Sequence, residues 1–229
     1  VDHGILLERL STSYGLSGMA YAWLESYITG REHIIHVGNR HSPPSKVLYG
    51  VPQGSVLGPV LYVFYTSDVA KLVEALGLGA HLYADDTQLY GHCSPSNSFE
   101  LASRVLRAID SIHEWMSSNR LSLNTGKTQF IWLGTKHSLA KRKTDRLFSL
   151  LPSLTELTSV RNLGFIIDQE LNMKDHITKL CQSCYYQLRQ IRTVRHSLTS
   201  SAIQTLVHAF ICTRVDFSNS LLYGTSAYL

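Results

Sequence analysis

Asp85 and Asp86 are adjacent carboxylates, preceded by Tyr83-Ala84 and set between two short β-rich runs at 80–84 and 87–90. Two such runs around a two-residue polar turn predict a β-hairpin with the carboxylates at its tip. Neighbouring carboxylates repel each other, which raises their proton affinity unless a cation is present. A divalent ion removes that conflict, and carboxylates with water are the hard oxygen ligands that Mg²⁺ takes. A pair of such ions can activate an attacking hydroxyl and stabilise a leaving pyrophosphate. Asp also fills ordinary turns, so taken alone the pair leaves a plain turn open.

A second string lies upstream: Gly50-Val51-Pro52-Gln53-Gly54-Ser55-Val56-Leu57-Gly58-Pro59. Three glycines permit close backbone approach to a ligand, and the string opens an apolar helix whose N-terminus attracts phosphate or a polar base edge. Gln53 can both donate and accept, which suits a base or a ribose. A rigid Pro/Gly connector would explain the prolines and glycines, but not the whole string. Cys181 and Cys184 have the spacing of half a zinc knuckle with no second half after them. They fall where the sequence reads as helix, and residues three apart there share a face.

These residues need elements to hold them. Ile5, Leu6, Arg9 and Leu10 recur at helical spacing, and Gly15-Leu16-Ser17-Gly18 breaks the pattern. Ser17 can cap a second helix carrying Met19, Trp23 and Tyr27 on one face, with Gly30 at its end. Residues 32–48 read as a hairpin around Gly38-Asn39, its second strand interrupted by Pro43-Pro44. The apolar helix after the glycine string runs from Val60 to about Leu76. A long amphipathic helix spans 98–120, with Leu101, Val105, Leu106, Ile109, Ile112 and Trp115 on one side. Residues 123–133 read as strand, turn, strand; 136–146 as a basic exposed loop; and 163–167 as a strand with a turn at 168–170. From Lys174 onward the pattern is helical, in two stripes: Ile177, Leu180, Cys184, Leu188, then Ala202, Leu206, Ala209, Phe210. Helix and strand mix through residue 170 and helix dominates beyond, which sets the expected domain boundary there.

The 229 residues are 44% apolar and 17% charged, ordinary values for a globular chain with a sizeable core. The longest apolar run, at 60–65, is too short to cross a bilayer, so no membrane partner is expected. Val1-Asp2-His3 has neither the basic start nor the apolar centre of a signal peptide, and no initiator Met precedes it. The sequence therefore reads as an intracellular fragment. Four scattered cysteines give no disulfide framework. The net charge of +4 is uneven: residues 1–90 carry five Lys/Arg against eight Asp/Glu, residues 91–229 sixteen against nine. An acidic half beside a basic half suits a metal site next to a phosphate-binding surface, although a solvated surface with uneven charge would look the same.

The glycine string followed by Tyr83-Ala84-Asp85-Asp86 resembles the reverse transcriptases of non-LTR retrotransposons, the long interspersed elements of animal genomes. Leu123-Asn124-Thr125-Gly126-Lys127-Thr128 looks like that family's next motif and Leu163-Gly164-Phe165 like its primer grip, with further likeness at 206–210 and 221–224. The resemblance implies an α+β fold: a right-hand polymerase palm with an antiparallel sheet over residues 1–170, a helical thumb-like region over 171–229, and no fingers. It implies Asp85 and Asp86 as metal ligands, Asp86 less directly, with Mg²⁺ or Mn²⁺ as cofactor. Tyr83, Pro52, Gln53, Gly54 and Ser55 would line the nucleotide and template side, and the small Ala84 leaves room beneath the primer end. Lys127 would donate a proton to pyrophosphate, or be an ordinary solvated lysine. Leu163 and Gly164 would hold the primer backbone, or be plain core strand. Arg189, Arg192 and Arg195 would meet phosphates, or be a solvated helix face. The implied partners are an RNA template, a DNA primer and deoxynucleoside triphosphates, in nucleus and cytoplasm.

The family's first palm motif places a metal-binding Asp ahead of a Phe-Asp-x-Val-x-His run, and Val1-Asp2-His3 matches only the tail of it. Asp2 is thus not that ligand. The missing ligand and the fingers are expected from an absent N-terminal part of the same polyprotein, and the chain alone is expected to be silent. The competing expectation is a non-catalytic, degenerate or reused polymerase fold that binds nucleic acid or protein. A viral RNA polymerase would need Gly where Ala84 stands.

Overall fold

A computed structural model describes residues 1–142 and 156–225. They divide into two compact units, Val1–Thr125 and Gly126–Leu229. This division falls at a different place from the boundary expected at residue 170.

In the first unit, α1 (His3–Thr12) starts at Asp2, whose carboxylate accepts the Ile5 N–H at 3.2 Å and so satisfies one of the free donors of the first turn. Helix α2 (Gly18–Ile28) follows; Ser17 stands at its N-cap in extended backbone without a side-chain cap bond. The hairpin expected at 32–48 forms in two short ladders. Strands β1 (Glu32–His33) and β4 (Ser45–Lys46) pair outside, and β2 (His36–Val37) and β3 (Arg40–His41) pair inside around Gly38-Asn39. The apolar helix begins earlier than expected and is broken: α3 (Leu57–Thr66) gives way at Ser67 to α4 (Asp68–Ala75). The hydroxyls of Thr66 and Ser67 donate back to the carbonyls of Tyr62 and Phe64, a competition that bends helices. Strands β5 (Gly79–Tyr83) and β6 (Asp86–Tyr90) then form an antiparallel hairpin, and α5 (Ser98–Ser118) is the long amphipathic helix.

The apolar faces explain the packing. Leu6, Leu7 and Leu10 of α1 close on Ile28 of α2 and on Leu61 and Tyr65 of α3, all buried. Val69 and Val73 of α4, Leu78, and Leu101, Ala102, Val105 and Ala108 of α5 are buried beyond them. Arg9 bridges this unit. Its guanidinium donates to the Tyr65 carbonyl and, at 2.6 Å, to Asn119 Oδ1 at the end of α5, and it lies over the Trp115 ring at 4.9 Å. Tyr65 is fully buried, and its hydroxyl donates to the Asn119 carbonyl at 2.5 Å.

Between residues 123 and 167 three expectations fail. Residues 123–133 form no strands: a 3₁₀ turn spans Thr125–Lys127, and Phe130 makes only an isolated parallel bridge to Glu156. β-propensity is strongly context-dependent, so a β-rich run need not become a strand. The basic stretch after 135 is not a loop but begins as helix α6 (Lys136–Ala140), because Thr135 caps it by accepting the Ser138 N–H. Residues 143–146 of that stretch lie outside the described residues. Leu163 and Gly164 are the two-residue turn between β7 (Ser159–Asn162) and β8 (Phe165–Asp168) rather than strand, both with positive φ, +46° and +92°. That backbone is the type I′ hairpin turn, which matches strand twist and favours residues such as glycine. Helices α7 (Lys174–Val194), α8 (Ser200–Val207) and α9 (Thr213–Asp216) follow, with a π-helical stretch at His208–Cys212 between the last two.

Asp168 is buried, and its carboxylate accepts the N–H groups of Glu170, Asn172 and Met173 ahead of α7. His176 of α7 is buried as well. Its ring stacks on Phe165 at 3.7 Å and its Nδ1 accepts the Ile166 N–H at 3.3 Å. Burial lowers its pKa below the ordinary value of 6.5. The folded state thus holds fewer protons than the unfolded chain just below that pH. The stability from a neutral His176 is fully present above about pH 6.5 and is lost as pH falls through the window beneath it. We expect the urea midpoint to fall between pH 7.5 and 5.5, and His176→Gln, which accepts but does not titrate, to flatten that slope. An unchanged slope in the variant would assign the acid sensitivity to other groups.

Candidate functional site

The carboxylate hairpin belongs to the first unit. Its register pairs Gly79 with Tyr90 and Tyr83 with Asp86, so the turn residues are Ala84 and Asp85, while Asp86 opens β6. The polar turn expected at Asp85-Asp86 is displaced by one residue. The two carboxylates therefore occupy different positions, one in the turn and one in the ladder. Ala84 takes φ +51°, a left-handed conformation that costs a side-chain-bearing residue roughly 1–2 kcal/mol. Two-residue hairpin turns require positive φ at their first central residue, so the ladder on either side holds Ala84 in this conformation. Tyr83, Ala84, Asp85 and Asp86 are all exposed.

The glycine string is a knotted loop. Gly50 and Gly54 have φ of +89° and +78°, which glycine adopts without strain. Ser55 Oγ donates to the Pro52 carbonyl at 2.6 Å and accepts the Gly58 N–H at 3.0 Å. A Cβ on Gly58 would stand 3.1 Å from that hydroxyl and 3.3 Å from the Pro52 carbonyl, so here the close approach is of the loop to itself. The Ser55 side chain thus shapes the loop from within, while Gln53 and Gly54 are exposed at its crest. The loop feeds directly into α3, which carries Tyr62. The Tyr62 pKa is raised, first by burial and then by the negative charge of Asp85. Asp85 and the helix that follows the loop therefore share an electrostatic neighbourhood.

The other expected residues lie in the second unit. Lys127 is exposed at the end of the 3₁₀ turn. Leu163 is half-exposed in its hairpin turn, and a Cβ on Gly164 would meet the Phe217 ring at 3.2 Å. Arg189 and Arg192 line an open groove of about 790 Å³ along α7, together with Ile177, Cys181 and Tyr185. Arg195 starts the 3₁₀ turn after the helix instead of lying along it.

Among the described residues, no group of three His, Cys, Asp or Glu could hold a metal ion, and this covers both Asp85-Asp86 and Cys181-Cys184. Two exposed carboxylates at a hairpin tip still fit Mg²⁺, which is commonly bound through one or two carboxylates with substrate phosphates and water completing its shell. No helix of the described residues is long and apolar enough to cross a membrane. Sequence reasoning missed Tyr62 and His3. Tyr62 carried only the signal of a polar tip in an apolar helix, and His3 bonds to the Gly50 carbonyl, 47 residues away.

The family described as reverse transcriptase (RNA-dependent DNA polymerase) matches residues 1–167. The chain is 27% identical over 177 residues to the probable RNA-directed DNA polymerase from transposon BS of Drosophila melanogaster, covering 75% of the chain and 19% of that protein. It is 24% identical to the RNA-directed DNA polymerase from mobile element jockey of Drosophila funebris, over 86% of the chain and 21% of that protein. It is 28% identical to the retrovirus-related Pol polyprotein from type-1 retrotransposable element R1 of Bradysia coprophila, over 76% of the chain and 16% of that protein. The chain thus spans about a fifth of the length of these curated relatives. No solved structure matches it.

Proposed function

This chain belongs to the reverse transcriptase (RNA-dependent DNA polymerase) family, of the non-LTR retrotransposon type, and we propose that it is the part of a longer protein that copies RNA into DNA by metal-assisted nucleotidyl transfer. The observation that carries the reading is the exposed Asp85-Asp86 hairpin tip, which follows the self-bonded 50–59 loop and the helix it opens. Asp85, with Asp86 beside it, holds Mg²⁺ or Mn²⁺. When bound, such ions lower the barrier to attack by a 3′-hydroxyl and neutralise the departing pyrophosphate. Gln53 and Gly54 at the loop crest face the incoming deoxynucleoside triphosphate and the template, Tyr83 lines the same side, and Pro52 and Ser55 keep the crest rigid. Ala84, with one methyl group, leaves the primer end room.

In this reading the mixed helix and strand region is a polymerase palm and the helices from Lys174 form a thumb-like region. Leu163 and Gly164 support the primer backbone, Arg189 and Arg192 meet phosphates, and Lys127 donates a proton to pyrophosphate. An exposed Lys does this only if substrate places it, because a general acid must lie within hydrogen-bond reach. The RNA template, DNA primer and nucleotides are the partners, and the setting is the nucleus and cytoplasm. In this reading a further metal ligand comes from another part of the longer protein, and this chain by itself is expected to be silent.

The test is Mg²⁺-dependent extension of a DNA primer on an RNA template, comparing this chain with the full-length protein that carries it. Extension by the full-length protein alone is the expected result. Extension by neither, with both folded, would favour a non-catalytic remnant that binds nucleic acid or protein.

A further inference from the structure

We infer that His3 is a positioning residue for the 50–59 loop, an inference that rests on the reading above, in which the loop crest meets nucleotide and template. His3 Nε2 stands 2.8 Å from the Gly50 carbonyl oxygen. A carbonyl can only accept, so the His3 ring donates from Nε2. The Gly50 N–H in turn donates to the Val1 carbonyl at 2.7 Å. These two bonds clamp the peptide planes on either side of Gly50. They set φ and ψ of a residue that, lacking a Cβ, would otherwise be the freest in the loop. Asp2 adds an antiparallel bridge to Tyr49.

The clamp is itself anchored. The Asp2 N–H donates to the Tyr65 hydroxyl at 3.3 Å, and that hydroxyl donates to the Asn119 carbonyl in the buried core. Behind His3, the Asp2 carboxylate caps α1, which fixes the helix turn bearing the imidazole. The far end of the loop is tied by Ser55 to Pro52 and Gly58. Gln53 and Gly54 are therefore suspended between two fixed points, and His3 controls the upstream one. With the His3 bond removed, the peptide between Gly50 and Val51 can rotate about the remaining Gly50 N–H bond and carry the crest with it. Misplacement of a substrate-facing group by about 1 Å is enough to lose a large factor in binding or rate.

The experiment compares wild type, His3→Ala and His3→Gln in the full-length protein that carries this chain. Gln can donate an amide N–H to the same carbonyl. His3→Ala is expected to speed amide exchange at Gly50 and to raise the KM for deoxynucleoside triphosphate, each on the order of tenfold, with kcat within about twofold. His3→Gln is expected to restore both. An unchanged KM in His3→Ala overturns the inference. So does equal impairment in the two variants, or a fall in kcat and Tm together at constant KM, which would mark a purely structural histidine. A full-length wild-type protein that extends no primer overturns the functional reading. Exchange at 50–59 that is indifferent to His3→Ala overturns the clamp itself, so the two failures are told apart.

Discussion

In the full-length protein that carries this chain, Asp85→Asn is expected to lower primer extension by about 10³-fold or more and to leave the fold intact. Asn keeps the size and one oxygen of the carboxylate but loses the charge that holds a divalent ion, and about 4 kcal/mol of transition-state stabilisation corresponds to that factor. The fold is spared because Asp85 is an exposed turn residue, and β5 and β6 pair through backbone bonds on either side of it. Removing one of two adjacent like charges should even leave the hairpin slightly more stable, the opposite of what a structural residue would show. Asp86→Asn is expected to cost less, about 10²-fold, since Asp86 sits in the ladder and the family resemblance gives it the less direct contact. The measurement is single-turnover extension rate beside a melting curve. Asp85→Asn retaining a tenth of the activity, or losing activity and fold together, would remove Asp85 from the metal site.

The largest stability effect is expected at Arg9. Arg9→Ala leaves the Tyr65 carbonyl and Asn119 Oδ1 without their donor and takes a cation from between the Tyr65 and Trp115 rings. The side chain is only 13% exposed, so water replaces these bonds poorly, and a loss of about 3 kcal/mol is expected. Arg9→Lys keeps the charge but has one point donor where the guanidinium has a fork, so it should recover less than half of the loss. Asp68→Asn, which removes the ion pair at 3.7 Å to a partly exposed carboxylate, should cost under about 1 kcal/mol. The order Ala, then Lys, then the Asp68 variant in urea midpoints checks this. An Asp68→Asn variant as damaged as Arg9→Ala would mean the ion pair, not the hydrogen-bonded bridge, holds α1 to α3 and α5.

How much of this was legible depended on how local the signal is. The stripe from Leu101 to Ile112 and the pattern after Lys174 each predict a long helix, and α5 and α7 lie there, because helical bonds reach only four residues along the chain. Gly38-Asn39 between β-rich runs likewise marks a turn that forms where it is read. The order of the glycine string, Tyr83-Ala84-Asp85-Asp86 and the later motifs pointed to the family that residues 1–167 match. What composition and spacing left open was register. The hairpin turns at Ala84-Asp85 and not at Asp85-Asp86, and Leu163-Gly164 is a turn and not strand. Register is firmly specified only where one face of a ladder is buried, and β5 and β6 bury neither face, so the side-chain pattern leaves a one-residue shift open. The same holds for 123–133, where β-rich residues form no strand because context, more than propensity, decides.

By itself, then, the sequence determined the long helices and the approximate hairpins, which rest on neighbours a few positions apart, and the family, which rests on the order of its motifs. Only the tertiary structure decided that Arg9 meets Asn119 across 110 residues and that His3 clamps Gly50 across 47. It alone also set the Asp85 charge within reach of Tyr62. The physical reason is that such bonds exist only once the apolar faces of α1, α3 and α5 are buried, and burial brings together donors and acceptors that no local pattern couples.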